Sequence, residues 1–190
     1  MIGWGYVEDT PENDAVLCQP DHLNYFIYRD PRDMLVSQVF FASDMHEEHG
    51  MHAYYNSLPD FGERLKVAIA GIDRDGLHMV NVKQRYEGVF QWLEQKDVMC
   101  IRFEDLIEDR DATLNMMLDE VESTGYAIPT PREEALPILI DAIQPKKSTT
   151  FRSGKTGGWK QYFTPEHKEL FKDVAGDLLI RLGYEDDNDW

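Results

Sequence analysis

Between Ala142 and Pro165 the chain runs 24 residues without an acidic side chain while carrying Lys146, Lys147, Arg152, Lys155 and Lys160. Gly154, Gly157 and Gly158 lie in the same stretch, with the hydroxyls of Ser148, Thr149 and Thr150. Glycines let backbone N–H groups approach a ligand closely. Cations and hydroxyls beside such amides are the composition of a phosphate-binding loop. The same composition fits a solvated loop whose charges balance an acidic surface. That surface is strongly acidic: 190 residues hold 19 Lys+Arg against 36 Asp+Glu, a formal charge of −17. The excess argues against general binding to nucleic acid or to an anionic membrane, so a bound anion must depend on a local cationic patch.

A second constellation pairs Arg29 with Ser37, eight residues on. Arg29 follows a β-prone run and Ser37 falls in the second turn of the helix expected after it. Anions bind where strands end and helices begin, and Arg29 could grip a phosphate with two parallel N–H donors while Ser37 adds a third. In the plainer reading Arg29 pairs with Asp30 or Asp33, and Ser37 is an ordinary helical residue. The letters Gly154-Lys155-Thr156 do not make a Walker A loop, because Thr149 stands where its first glycine belongs and Gly157-Gly158 replaces the helix start. His46, His49 and His52 recur at intervals of three; a solvated helix end suits them better than a metal site. Cys18 and Cys100 have no CxxC neighbours and read as free thiols. No Ser/His/Asp or Cys/His arrangement stands out.

These residues need a scaffold. With 42% hydrophobic and 12% aromatic residues the chain has the composition of one folded domain over 1–190. Leu23–Tyr28 predicts a strand buried on both faces, and Val98–Ile101 a second one. Asp30 as cap, Pro31 at the first helical position and Asp33 in the first turn predict a helix to about Met45, with Leu35, Val39 and Ala42 on one face. Stripes at Leu65/Ile69/Ile72, Tyr86/Val89/Phe90/Leu93 and Leu114/Met117/Leu118/Val121 predict three more helices, the last closing near Gly125. Thr130-Pro131-Arg132-Glu133 reads as a capping box. Thr164-Pro165 opens a final helix whose stripe runs from Leu170 to Leu182, with Gly183 as its stop. Strands separated by helices imply crossovers and a parallel sheet, hence a helix-rich α/β fold. Two strands are few for such a sheet; others hidden in 1–22 and 76–82, or chain outside this sequence, would complete it, and the second is the expectation. Residues 1–18 carry four acidic and no basic side chains, unlike a targeting peptide. No apolar run nears the roughly 20 residues of a membrane span. A soluble, cytoplasmic protein is expected.

Together these segments resemble the second half of the PAPS-dependent sulfotransferases, which move a sulfuryl group from 3′-phosphoadenosine 5′-phosphosulfate to an acceptor hydroxyl or amine. Arg29-Asp30-Pro31-Arg32-Asp33-Met34-Leu35-Val36-Ser37 resembles the family's R-[ND]-P-[KR]-D-x-x-x-S element. Phe103-Glu104-Asp105-Leu106 resembles its [FY]-E-D-[LM] segment, and Phe151-Arg152-Ser153-Gly154-Lys155-Thr156-Gly157-Gly158-Trp159-Lys160 its F-R-K-G-x-x-G-x-W-[KR] loop. The resemblance spans about residues 23–185. It implies a sulfotransferase fold incomplete at its N-terminal end, with the nucleotide as co-substrate, a small-molecule acceptor and no metal. By position, Arg29, Ser37, Arg152 and the backbone near Ser153 and Gly154 would hold the 3′-phosphate, with Phe103 near the adenine.

The sequence departs from the family in three places. Ser153 replaces the usual Lys, removing one cation. Lys160, Thr164 and Glu169 match a C-terminal dimerisation element only in part, since Pro165 interrupts it. The Lys/Ser/Thr-rich loop that grips the 5′-phosphosulfate is missing, so turnover would require an N-terminal segment from elsewhere; the alternative is a non-catalytic nucleotide-binding or interaction module of the same fold. Tyr6, in Trp4-Gly5-Tyr6, would stand where some members have a catalytic His, although a phenol with a pKa near 10 is a poor base at neutral pH. His22 is the nearest other candidate base.

Overall fold

The computed structural model describes residues 11–19, 22–148 and 150–190. Tyr6, Trp4, Gly5 and Thr149 lie outside the described residues. The elements are α1 (Pro11–Leu17), β1 (Asn24–Tyr28), α2 (Pro31–Phe40), a π-helical turn (Phe41–Met45), α3 (His52–Ser57), α4 (Phe61–Ala70), β2 (Ile72–Arg74), β3 (Leu77–Met79), α5 (Val82–Glu94), β4 (Val98–Arg102), α6 (Phe103–Glu108), α7 (Arg110–Ser123), α8 (Arg132–Ala142), α9 (Pro165–Ala175) and α10 (Leu178–Arg181). They gather into two compact units.

The first unit comprises the described residues of Met1–Tyr28 and Gly88–Thr149. Its centre is the expected parallel pair: β1 lies beside β4 with Asn24 opposite Val98 and Tyr28 opposite Arg102. The β-branched and aromatic residues of both strands suit a pleated, partly buried surface. Phe26 stacks on Trp92 at 6.3 Å, and Ile101, Leu114 and Leu118 are buried in the same unit. The expected burial of β1 on both faces does not hold, because its other residues are only half-buried and Ile27 is 52% exposed. The predicted capping box at Thr130 does not form. Pro131 is the N-cap, with no side-chain cap bond, and α8 starts at Arg132. The cause is tertiary: Arg132 reaches Asn115 O at 2.7 Å, Asp119 at 2.6 Å and Glu122 at 3.0 Å on α7, and these bonds fix where the helix begins.

The second unit comprises Arg29–Glu87 and Thr150–Trp190. Its core is built on α2, where Leu35, Val36 and Val39 are fully buried with Tyr55, Leu65 and Ile69. The helix runs on into the π turn, so helical structure reaches Met45 as expected. Asp75 and Gly76, both at positive φ, turn β2 into β3, the geometry an Asp-Gly pair favours. This hairpin is a separate antiparallel sheet, so the strand in 76–82 does not extend the parallel pair. The predicted single C-terminal helix is two helices. Gly176, at φ +62°, ends α9, because a left-handed backbone stops the ladder although the apolar spacing continues. Thr164 caps α9 in a capping box with His167. His167 is 3% exposed, and its Nε2 lies 3.0 Å from Gly62 O at the start of α4. Among the described residues no helix is long and apolar enough to cross a membrane.

Candidate functional site

The second unit assembles its basic loop on α2. The side chain of Asp30 caps the helix, accepting from the Arg32 N–H at 2.9 Å, and Pro31 supplies the φ of the first helical position. Arg29, just before the cap, donates from Nη2 to Lys155 O at 2.7 Å. The same nitrogen stands 3.5 Å from Asp33 Oδ2, so the pairing with Asp33 holds as well. Tyr86 Oη donates to Arg29 O at 3.0 Å and fixes the backbone there.

Asp33 fastens the other end of the loop. Gly157 N donates to its Oδ2 and Trp159 N to its Oδ1, each at 2.7 Å. Asp33 is 2% exposed, and a carboxylate so deeply placed needs these donors and the nearby guanidinium. Gly157 sits at φ +65°, and Gly154 at φ +59°, where a Cβ would come within 2.9 Å of the Phe151 ring. Both positions therefore favour glycine.

Arg152 packs at the far end of the same helix. Its guanidinium carbon lies 4.5 Å from the Phe40 ring centroid, and Phe40 in turn contacts Phe61 at 4.6 Å and Tyr162 at 5.4 Å. The Arg152 Nε is buried and without a hydrogen-bond partner among the described residues. At about 100° per residue, Asp33, Ser37 and Phe40 fall within about 60° of one another on α2. Ser37, half-buried, thus lies on the face that the loop follows, between the helix positions touched by Gly157 and by Arg152. Ser153 is exposed and Gly154 half-buried on the loop. The loop thus runs along the face of α2 that carries Ser37, with Arg29 at the start of the helix and Arg152 against Phe40 at its far end.

A buried cation braces this helix end. Arg32, 3% exposed, pairs with Asp30 at 2.7 Å and with Glu185. Its guanidinium lies 4.0 Å from the Trp159 ring centroid and 4.6 Å from that of Trp190. Burial opposes its charge, yet Asp30 and Glu185 outweigh burial and raise its pKa further. Lys160, exposed, rests 5.8 Å from the Trp159 ring.

The remaining candidates are distributed. Phe103, half-buried, opens α6 directly after β4 in the first unit. His22 is exposed, with Nδ1 2.9 Å from Leu17 O. His46 and His49 stand edge-on at 6.3 Å, both against Phe41. His49 Nδ1 accepts from Met51 N, and burial, then His46 and His52, lower its pKa. Among the described residues no group of His, Cys, Asp or Glu could hold a metal ion. Sequence reasoning missed Asp33 and Arg32 as tertiary anchors. The signal was present in an acid aligned on one helix face with Ser37 and in a Pro flanked by four charges.

No protein-family model matches the chain, and no curated protein matches it in sequence. Its fold is similar to that in the crystal structure of mouse sulfotransferase SULT7A1 complexed with PAP, with a TM-score of 0.57 at 17% identity. The match covers 87% of this chain and 67% of that one. The chain has a sulfotransferase-like α/β fold, helix-rich around a small parallel sheet.

Proposed function

We propose that the chain binds adenosine nucleotides bearing a 3′-phosphate, with Arg29, Ser37, Arg152 and the amides near Ser153 and Gly154 around that phosphate. One observation carries the reading: the loop of Arg152 is pinned to α2 by Asp33, so its path follows the helix face that presents Ser37, and Arg29 meets it at Lys155. In a protein of charge −17, this cationic stretch is where a dianion gains most from charge-assisted hydrogen bonds. The sulfotransferase-like fold and the PAP-bound state of the mouse structure support the choice of ligand.

The reading extends to sulfuryl transfer from 3′-phosphoadenosine 5′-phosphosulfate to a small acceptor. The role of Arg29, Ser37 and Arg152 is to hold the nucleotide end, fixing the sulfuryl group for in-line attack, since positioning supplies a large part of such catalysis. Phe103 is assigned to the adenine by resemblance, and Tyr6 and His22 are the candidates for the catalytic base. Isothermal calorimetry tests the binding step. Adenosine 3′,5′-bisphosphate should bind at least about 10-fold more tightly than adenosine 5′-phosphate, as expected for a charged group held by arginines. Equal affinities would overturn the proposal.

A further inference from the structure

Asp33 presents a problem that its place in a helix first turn does not explain. Favourable interaction with the helix dipole is available to an exposed carboxylate, yet this one is 2% exposed. It spends both oxygens on the loop, accepting from Gly157 N and Trp159 N at 2.7 Å each. Arg29 Nη2, 3.5 Å from Oδ2, holds Lys155 O at 2.7 Å. Three loop residues, Lys155, Gly157 and Trp159, are therefore tied to one turn of chain that contains both a buried acid and a site arginine.

We infer that Asp33 is the positioning residue of the anion site: its carboxylate docks the 152–159 loop on α2 and orients Arg29, and through that docking sets Arg152 for the dianion. This rests on the 3′-phosphate reading above. Asp33 repels an anion directly, so its value lies in its neutralised state, with two amide donors and a guanidinium around it. An anion then meets the cations and not the carboxylate. Asparagine cannot replace it, because a carboxamide accepts at one oxygen only and turns an NH2 donor toward the other loop N–H.

The test uses the full chain with Asp33→Asn. Trypsin cleavage after Lys155, whose carbonyl Arg29 holds, and after Arg152 should rise about 10-fold in limited proteolysis, with other sites unchanged, as local opening exposes the loop. Affinity for adenosine 3′,5′-bisphosphate should fall about 10-fold while that for adenosine 5′-phosphate stays the same, a change of preference that general loosening would not produce. Asp33→Glu, which keeps the charge, should recover part of that preference. If the unmutated protein shows no preference for the bisphosphate, the 3′-phosphate reading itself fails. If it does and Asp33→Asn keeps both preference and protection, only the positioning role fails. Should Asp33→Asn not fold, amide exchange in the unmutated protein decides: the Gly157 and Trp159 N–H groups should be protected, and free exchange of both would overturn the inference.

Discussion

Replacing Arg32 by Ala removes the cation that braces the start of α2, and the cost can be worked from its surroundings. The guanidinium is buried with the Asp30 carboxylate at 2.7 Å and pairs with Glu185 as well. Truncation would leave Asp30 buried with the Arg32 N–H among its donors. Breaking a buried ion pair from one side costs about 3–5 kcal/mol, and each lost cation–π contact with Trp159 and Trp190 adds about 1 kcal/mol or less. Because the contacts share one group, the sum is not additive; a loss of about 4 kcal/mol is expected. For a chain of this length that lowers the melting temperature by about 8–16 °C. Urea and thermal unfolding followed by tryptophan fluorescence would read it, since Trp159 and Trp190 flank the site. Arg32→Lys keeps the charge but loses the planar fork and should still cost more than about 1 kcal/mol. Adding Asp30→Asn to the Ala variant should recover stability by relieving the stranded charge. A loss below about 1 kcal/mol, the range of solvated surface pairs, would refute the reasoning.

Two further outcomes are expected. Burial, the largest cause, pushes the Tyr55 pKa up to about 12, with nearby Arg85 acting in the opposite direction. A raised folded pKa means that the contribution is intact below the unfolded value of about 10 and is lost as pH climbs through the folded one. Tyr55→Phe should therefore lose about 2 kcal/mol less stability than the unmutated chain between pH 9 and 12 in urea titrations, and identical losses would contradict the assignment. His167→Ala removes the ring that accepts from Thr164 N at 3.1 Å and meets Gly62 O at 3.0 Å. It should cost about 2–4 kcal/mol by leaving buried polar groups unpaired, and a change within about 0.5 kcal/mol would show that the α4–α9 contact does not depend on it.

What the sequence made legible was local. Asp30-Pro31 announced α2 because capping and proline geometry act within a few residues, and Leu35, Val39 and Ala42 are all buried there. The cationic glycine loop stood out because its charge reverses that of the whole chain. The failures share a different physical origin. Gly176 breaks a helix whose apolar stripe continues in register, since periodicity records burial and not backbone conformation. The start of α8 is set by Arg132 bonding to α7, which no capping rule contains. Asp33 was read as a partner of the helix dipole, whereas its donors lie 124 and 126 residues away. Arg32 finds Glu185 across 153 residues. A buried charge declares its role only when its partners are known.

The central claim, that Arg29 and Arg152 serve one bound dianion, is tested most directly by a double-mutant cycle. Calorimetry with adenosine 3′,5′-bisphosphate on Arg29→Ala, Arg152→Ala and the double variant should show each single change costing about 1.5–3 kcal/mol. The double variant should depart from their sum by more than about 0.5 kcal/mol, as groups sharing one partner do. Strict additivity, or one arginine whose loss leaves the affinity unchanged, would contradict the account.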